Sequence, residues 1–143
     1  MKYIINENQV ELLQKTFNKL MSNLSDLREV ERVYDFYDYK RNSYVDYTPI
    51  NFYDTTGDEE GDAEIWELDD WVFQYAKEPP YGEKVEGYPT PVLLYPRNRF
   101  KNLIGMFDNK FDYLLKKWFE VTYGYKVNTI LDDYEADKFI PYS

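Results

Sequence analysis

The sequence contains no cysteine and no histidine, and these two absences exclude several classes of chemistry. Without cysteine there is no disulfide, no thiolate zinc site and no cysteine nucleophile. Without histidine the chain lacks the commonest general base near neutral pH and the commonest transition-metal ligand. A Ser-His-Asp catalytic triad is therefore impossible.

Long apolar runs are also missing from the sequence. A membrane-spanning helix needs about 20 consecutive apolar residues, and no run approaches that length. The first residues, M-K-Y-I-I-N-E, do not have the pattern of a signal peptide. We therefore expect no membrane association.

Positive charge is scarce, because 17 basic residues face 27 acidic ones and leave a net charge of −10. Nucleic-acid binding draws its affinity from lysine and arginine that replace phosphate counterions. Docking on an anionic membrane needs the same basic residues. We therefore expect neither partner, and the acidity favours a cation or the basic surface of another protein.

The length and composition predict a globular chain. The 143 residues fit one compact domain over 1–143, and the hydrophobic fraction of 43% is near the ~45–50% typical of globular proteins. Sixteen residues are tyrosine, which has a ring that can be buried and a hydroxyl that needs a partner. This enrichment indicates half-buried sheet faces, an aromatic contact surface, or the codon usage of an AT-rich genome.

Apolar residues at helical spacing predict a helix near each end of the chain. Asn6 and Gln9 have the spacing of a capping box before a predicted helix over residues 7–23. Residues 100–118 contain two further stripes, and Gly124 is placed to end the second helix. The N-terminal stripe consists of Val10, Leu13, Phe17, Leu20 and Leu24.

Between these helices the sequence has the pattern of strands. Residues 32–39 and 43–48 are dense in aromatic and β-branched residues and flank a polar turn, which predicts a hairpin. Pro49 cannot donate to a ladder, so residues 50–53 form either an edge strand or a separate strand after a bend.

The remaining segments complete the predicted fold. A short turn is predicted through residue 30, and residues 63–76 fit a strand followed by a helix. Residues 91–96 are expected to form a short buried or edge strand and residues 126–130 a final strand, and residues 132–135 are expected to lie on the surface. The predicted fold class is α+β, with a small antiparallel sheet packed by an N-terminal and a C-terminal helix.

One segment between the predicted strands concentrates the acidity beside two tryptophans. The candidate binding residues in it are Asp58, Glu59, Glu60, Asp62, Glu64, Trp66, Asp69, Asp70 and Trp71. Three interpretations are open: a hard-cation site, a surface that mimics the charge of nucleic acid for a basic partner, and a solvated loop without a partner. An EF-hand register from Asp58 fails, because Ala63 stands where glycine is needed and Asp69 where a bidentate glutamate is expected.

Catalytic motifs are not found in the sequence. No glycine-rich phosphate loop is present, because the glycines are isolated. Two carboxylates can hydrolyse a glycoside, but the sequence places no pair of its acids at the required separation. We therefore expect no enzyme, no cofactor and no metal.

Two short motifs resemble those of small proteins of tailed bacteriophages. The opening M-K-Y-I-I-N-E-N-Q is similar to their M-K-Y-I-I-[TN]-E-x-Q start, and W-F-E-V-T-Y-G at residues 118–124 is similar to a helix end found among them. The resemblance covers about 20 of the 143 residues. It implies an origin in a phage or its bacterial host and implies no activity.

These observations lead to three hypotheses about function. The first is a non-enzymatic acidic protein-binding module, a phage accessory or anti-defence protein that engages a basic partner surface. The alternative is a virion structural or assembly component whose tyrosine-rich faces contact neighbouring virion subunits. The third is a carboxylate-based or metal-dependent hydrolase. The expected location is the host cytoplasm or the virion.

Overall fold

The computed structural model describes residues 7–38, 42–54, 71–80 and 87–140, and it confirms the α+β class. The helices are α1 (Glu7–Leu20), α2 (Lys101–Phe107) and α3 (Phe111–Tyr123). The strands are β1 (Arg28–Glu31), β2 (Tyr34–Asp38), β3 (Ser43–Tyr47), β4 (Ile50–Tyr53), β5 (Phe73–Ala76), β6 (Val92–Tyr95) and β7 (Thr129–Asp132). Short 3₁₀ helices cover Ser22–Leu24, Arg97–Phe100, Asp108–Lys110 and Ala136–Lys138.

The chain forms two compact units. Met1–Asp26 and Lys101–Lys126 make a helical unit, and Leu27–Phe100 and Val127–Ser143 make a sheet unit. The expectation of one domain over 1–143 stays a prediction.

The helical unit is held together by aromatic packing between α1 and the C-terminal helices. Phe17 of α1 is fully buried, and its ring meets the rings of Phe107 and Phe111 edge-on at 5.4 and 5.8 Å. Helix α1 ends at Leu20, earlier than predicted, and Leu20 is exposed while Met21 is buried. The predicted cap at Asn6 lies outside the described residues.

Helix α3 ends at the predicted glycine. Gly124 has φ of +79°, in the left-handed region that costs glycine little. Its N–H donates to the carbonyl of Glu120 at 2.9 Å and satisfies one of the last carbonyls of the helix. The predicted end of the helix is therefore confirmed.

The sheet unit contains a five-stranded sheet in the order β1-β4-β5-β6-β7. Neighbouring strands are antiparallel except β6 and β7, which are parallel. Strands β5 and β6 are buried along their whole length, as expected for the centre of a sheet covered on both faces. The sheet is thus mostly antiparallel, with one parallel pair that the sequence did not predict.

A second sheet consists of the predicted hairpin. Strands β2 and β3 pair antiparallel, with Tyr34 opposite Tyr47 and Asp35 opposite Asp46. Tyr47 is buried in a core cluster with residues of β5, β6 and β7 and of the chain after β7, so the hairpin packs on the larger sheet. The buried members of this core cluster are Tyr47, Ala76, Val92, Leu94, Leu131, Ala136, Phe139 and Ile140.

Two sequence-based expectations for the sheet were wrong. Arg28–Glu31 is a strand and not a turn, and its side chains alternate between half-buried and exposed. Phe73–Ala76 is a strand and not a helix, since its complete burial removed the alternation that marks a strand. Of the two alternatives for residues 50–53, the structure shows the separate strand after Pro49, which lies inside the sheet between β1 and β5.

Candidate functional site

A groove of about 570 Å³ lies beside β3 in the sheet unit. Its volume is within the range of roughly 300–1,000 Å³ that is common for ligand clefts. One wall consists of β3 and the end of β1, and the other consists of the chain that follows β5. The lining residues are Glu31, Val45, Asp46, Thr48, Lys77, Glu78, Pro79 and Pro80. We call this feature the β3 groove.

The lining residues place the β3 groove along the edge of the strand. Successive residues of a strand direct their side chains to opposite faces. Val45 and Asp46 are consecutive and both line the groove, which is expected of a cavity beside a strand and not over one face. Among the described strands, only β2 pairs with β3. The outer edge of β3 therefore borders the groove.

Carboxylates dominate the charge of the β3 groove. Glu31, Asp46 and Glu78 are exposed at its surface, and the basic residue that lines it is Lys77. Charges of one sign on the walls of a cleft focus the electric field and raise the local concentration of ions of the opposite sign. The groove therefore favours a positively charged occupant.

A second carboxylate faces Asp46 across the hairpin. Asp35 lies directly opposite Asp46 in the ladder, and like charges at such positions destabilise a strand pair. The hydrogen bond with the Asp46 carboxyl raises the pKa of the Asp35 carboxyl above its ordinary value of 3.8, and Coulombic repulsion and slight desolvation raise it further. The protonated Asp35 carboxyl can donate to Asp46, and this interaction is lost when Asp35 ionises above its raised pKa.

This carboxyl pair predicts a pH-dependent stability. A carboxyl whose pKa is raised on folding contributes stability that is fully present below its unfolded pKa and is lost as the pH rises through its folded pKa. We expect Asp35→Asn to remove this loss, because its amide can donate to Asp46 at every pH. The thermal midpoint of the variant should rise relative to that of the wild type between about pH 4 and pH 7.

The matched control for this pH prediction is Asp26→Asn, which neutralises an exposed carboxylate of the helical unit. Thermal melts at a series of pH values measure both variants. A constant difference between wild type and Asp35→Asn across this range would contradict the raised pKa of Asp35.

Buried hydrogen bonds hold the hairpin on the larger sheet. The Tyr47 hydroxyl donates to Gln74 Oε1 at 2.8 Å, and Gln74 Nε2 donates to Asn51 Oδ1 at 2.9 Å. Asn51 Nδ2 in turn donates to the hydroxyls of Tyr34 and Tyr53. Burial raises the pKa of the Tyr34 hydroxyl above its ordinary value of 10.0, so this group stays neutral at physiological pH. We call these five side chains the amide–tyrosine network.

The amide–tyrosine network fixes the position of the β3 groove. Asn51 and Gln74 are almost fully buried in β4 and β5, and buried amides need partners for their donors and acceptors. Tyr34 and Tyr47 come from the two strands of the hairpin and stack with ring centroids 6.0 Å apart. Both strands of the hairpin are therefore bonded to the sheet beneath.

A further group of charges occurs where β4, β6 and β7 end. Arg97 pairs with Asp132 at 3.3 Å, and Arg99 pairs with Asp54 at 2.7 Å. Asp132 also accepts the backbone N–H of Glu135 at 2.9 Å. Asp132 is 4% exposed, so the prediction of a surface position was wrong for this residue, whereas Asp133 and Tyr134 are exposed as predicted. Because these charges satisfy one another, we assign them a structural role.

The structure describes one of the nine residues predicted from the acidic segment. Trp71 is half-buried and packs against the core cluster that contains Tyr47. The remaining predicted residues lie outside the described part of the chain and stay predictions. They are Asp58, Glu59, Glu60, Asp62, Glu64, Trp66, Asp69 and Asp70.

Charge is unevenly distributed between the two units. In the described residues of the helical unit, seven lysines nearly balance six carboxylates. In those of the sheet unit, six basic residues face eleven carboxylates. Between β4 and β5 the sequence adds eight carboxylates and no basic residue over positions 55–70. The β3 groove thus belongs to the more acidic unit.

Comparison with known proteins found no match among family models, curated proteins or solved structures. In the described ranges, no helix has the length and apolar character needed to cross a membrane. Within the same ranges, no three carboxylates are placed to hold a metal ion. The geometry of the β3 groove is therefore the basis for inferring a function.

Proposed function

We propose that this protein is a non-enzymatic binding module whose β3 groove receives a basic segment of another protein. The observation that carries this proposal is the set of carboxylates at Glu31, Asp46 and Glu78 around one cleft. The same binding role fits a phage accessory or anti-defence protein. The sequence resemblance implies an origin in a phage or its bacterial host. The acidic segment Asp58–Asp70 would strengthen the attraction of the same partner.

An exposed tyrosine beside the groove supports contact with a protein partner. Tyr44 is 74% exposed and lies two residues before Asp46, so both side chains project from the same face of β3. The Tyr37 ring meets the Tyr44 ring edge-on at 5.1 Å and supports it. Tyrosine is enriched among the residues that dominate binding energy, and its ring stacks on the cations of arginine and lysine.

Charge reversal in the groove tests the proposal. We expect Glu31→Lys combined with Glu78→Lys to weaken binding of a short lysine-rich peptide by about tenfold or more, because attraction becomes repulsion at two positions. Fluorescence anisotropy with a labelled peptide measures this affinity. The affinity of the wild type should also fall as salt is added.

The matched control is a double reversal in the helical unit, Glu11→Lys with Asp26→Lys, which changes the net charge by the same amount. A loss confined to the groove variant supports the proposal. Equal losses in both variants would show that only net charge matters, and failure of the wild type to bind the peptide would overturn the proposed function.

One observation favours the alternative of a virion structural or assembly component. The helical unit exposes large apolar side chains, among them Leu12 and Met106 at more than 60% and Val121 at 83%. Exposed apolar surface is typical of sites that contact other subunits. Light scattering after size-exclusion chromatography distinguishes the two functions, since ordered oligomers favour assembly and a strict monomer counts against it.

A further inference from the structure

We propose that the basic segment binds as an added β-strand along the outer edge of β3, with basic side chains at every second position. This inference rests on the proposed function and specifies how the β3 groove is used. In strand addition the main chain of the partner supplies affinity, and its alternate side chains supply specificity.

The backbone of β3 offers hydrogen-bonding groups on the side away from β2. In an antiparallel pair, every second residue of a strand directs its N–H and C=O away from the partner strand. Strand β3 pairs with β2 and with no other described strand. Alternate residues of β3 therefore direct their backbone donors and acceptors away from β2, towards the edge that borders the groove.

The chain that follows β5 forms the other wall of the groove and is poor in backbone donors. This wall contains Pro79 and Pro80, and proline has no N–H with which to continue a ladder. An extended segment in the groove would thus find no backbone donor at these two positions, whereas β3 contains no proline. The groove therefore favours backbone hydrogen bonds along the edge of the occupant that faces β3.

Hydrogen bonds to the larger sheet hold the β3 edge in place before any partner binds. The Tyr47 and Tyr34 hydroxyls bond to Gln74 and Asn51 of the larger sheet, so the hairpin cannot slide without breaking buried hydrogen bonds. A binding edge that is held in place before association reduces the entropy lost on binding.

The side chains of β3 define the chemistry of the added strand. Asp46 and Tyr44 project from one face of β3, and Val45 projects from the other. Adjacent strands place their paired side chains on the same face. The preferred partner therefore alternates lysine or arginine, facing Asp46, with β-branched or apolar residues, facing Val45.

Peptides methylated on their backbone nitrogens test this mode of binding. The probe is a short labelled peptide that alternates lysine with valine, in three forms: unmethylated, methylated on every lysine nitrogen, and methylated on every valine nitrogen. Each methylated form blocks one edge of the extended chain and keeps all side-chain charges. Fluorescence anisotropy against the full chain gives the three affinities.

Strand addition predicts that one methylated form binds about tenfold or more weakly than the unmethylated peptide, because it loses the hydrogen bonds to β3. The other methylated form should bind within about twofold of it. Equal effects of the two methylated forms, weak or strong, overturn strand addition and leave the proposed function standing. If the unmethylated peptide does not bind, the proposed function itself fails.

Discussion

Replacement of Phe17 by alanine is expected to lower the free energy of unfolding by about 3–5 kcal/mol, the range found for phenylalanine removed from a packed core. Phe17 is 0% exposed and makes edge-on contacts with Phe107 and Phe111. Its removal leaves a cavity between α1 and the C-terminal helices, and these contacts are lost with it. Because α1 is separated from α3 by most of the chain, no local contact replaces them.

Chemical denaturation followed by circular dichroism measures the effect of Phe17→Ala. The matched control is Leu12→Ala in the same helix, where the side chain is 64% exposed. This control should stay within about 0.5 kcal/mol of the wild type. Equal midpoints for the two variants would contradict the assignment of Phe17 to the core.

Replacement of Asn51 by leucine is expected to lower the free energy of unfolding by about 3 kcal/mol or more. Leucine keeps the branching and the number of side-chain heavy atoms but is larger, so the expected loss combines the missing hydrogen bonds with tighter packing at a fully buried site. The change removes the donors to Tyr34 and Tyr53 and leaves Gln74 Nε2 buried without its acceptor. An unsatisfied buried polar group costs about 1–3 kcal/mol.

A double-mutant cycle with Gln74→Leu separates the amide pair from the rest of the network. Removing both amides should cost less than the sum of the single changes, since neither then leaves the other unsatisfied. The control Asn102→Leu lies at an exposed position of α2 and should change stability by less than about 0.5 kcal/mol. A loss below 1 kcal/mol for Asn51→Leu would contradict the network.

The helices and the hairpin could be predicted because their periodicity is local. The stripe through Phe17 marks α1, Gly124 marks the end of α3, and the polar turn before Ser43 marks the hairpin. Strand β5 could not be recognised, because burial on both faces removes the alternation that identifies a strand. The burial of Asp132 depends on Arg97, which lies 35 residues away in sequence.

The acidic character of the candidate site could be predicted from the sequence, but its position could not. The net charge predicted an acidic surface for a basic partner. The densest run of acidic residues predicted that this surface lies at Asp58–Asp70. The β3 groove instead gathers Glu31, Asp46 and Glu78 from three separate segments, which only the packing of the hairpin on the sheet brings together. The sequence predicted the hairpin but not its register, and it is the register that places Asp35 opposite Asp46.

The central claim is that the sheet unit binds a basic segment in the β3 groove. Titration of the isotopically labelled protein with the alternating lysine–valine peptide, followed by nuclear magnetic resonance of the backbone amides, tests it most directly. The largest shifts should fall on Ser43–Tyr47 and on residues 77–78, while α1 and α3 change little. Shifts centred on the helical unit, or none at saturating peptide, would contradict it.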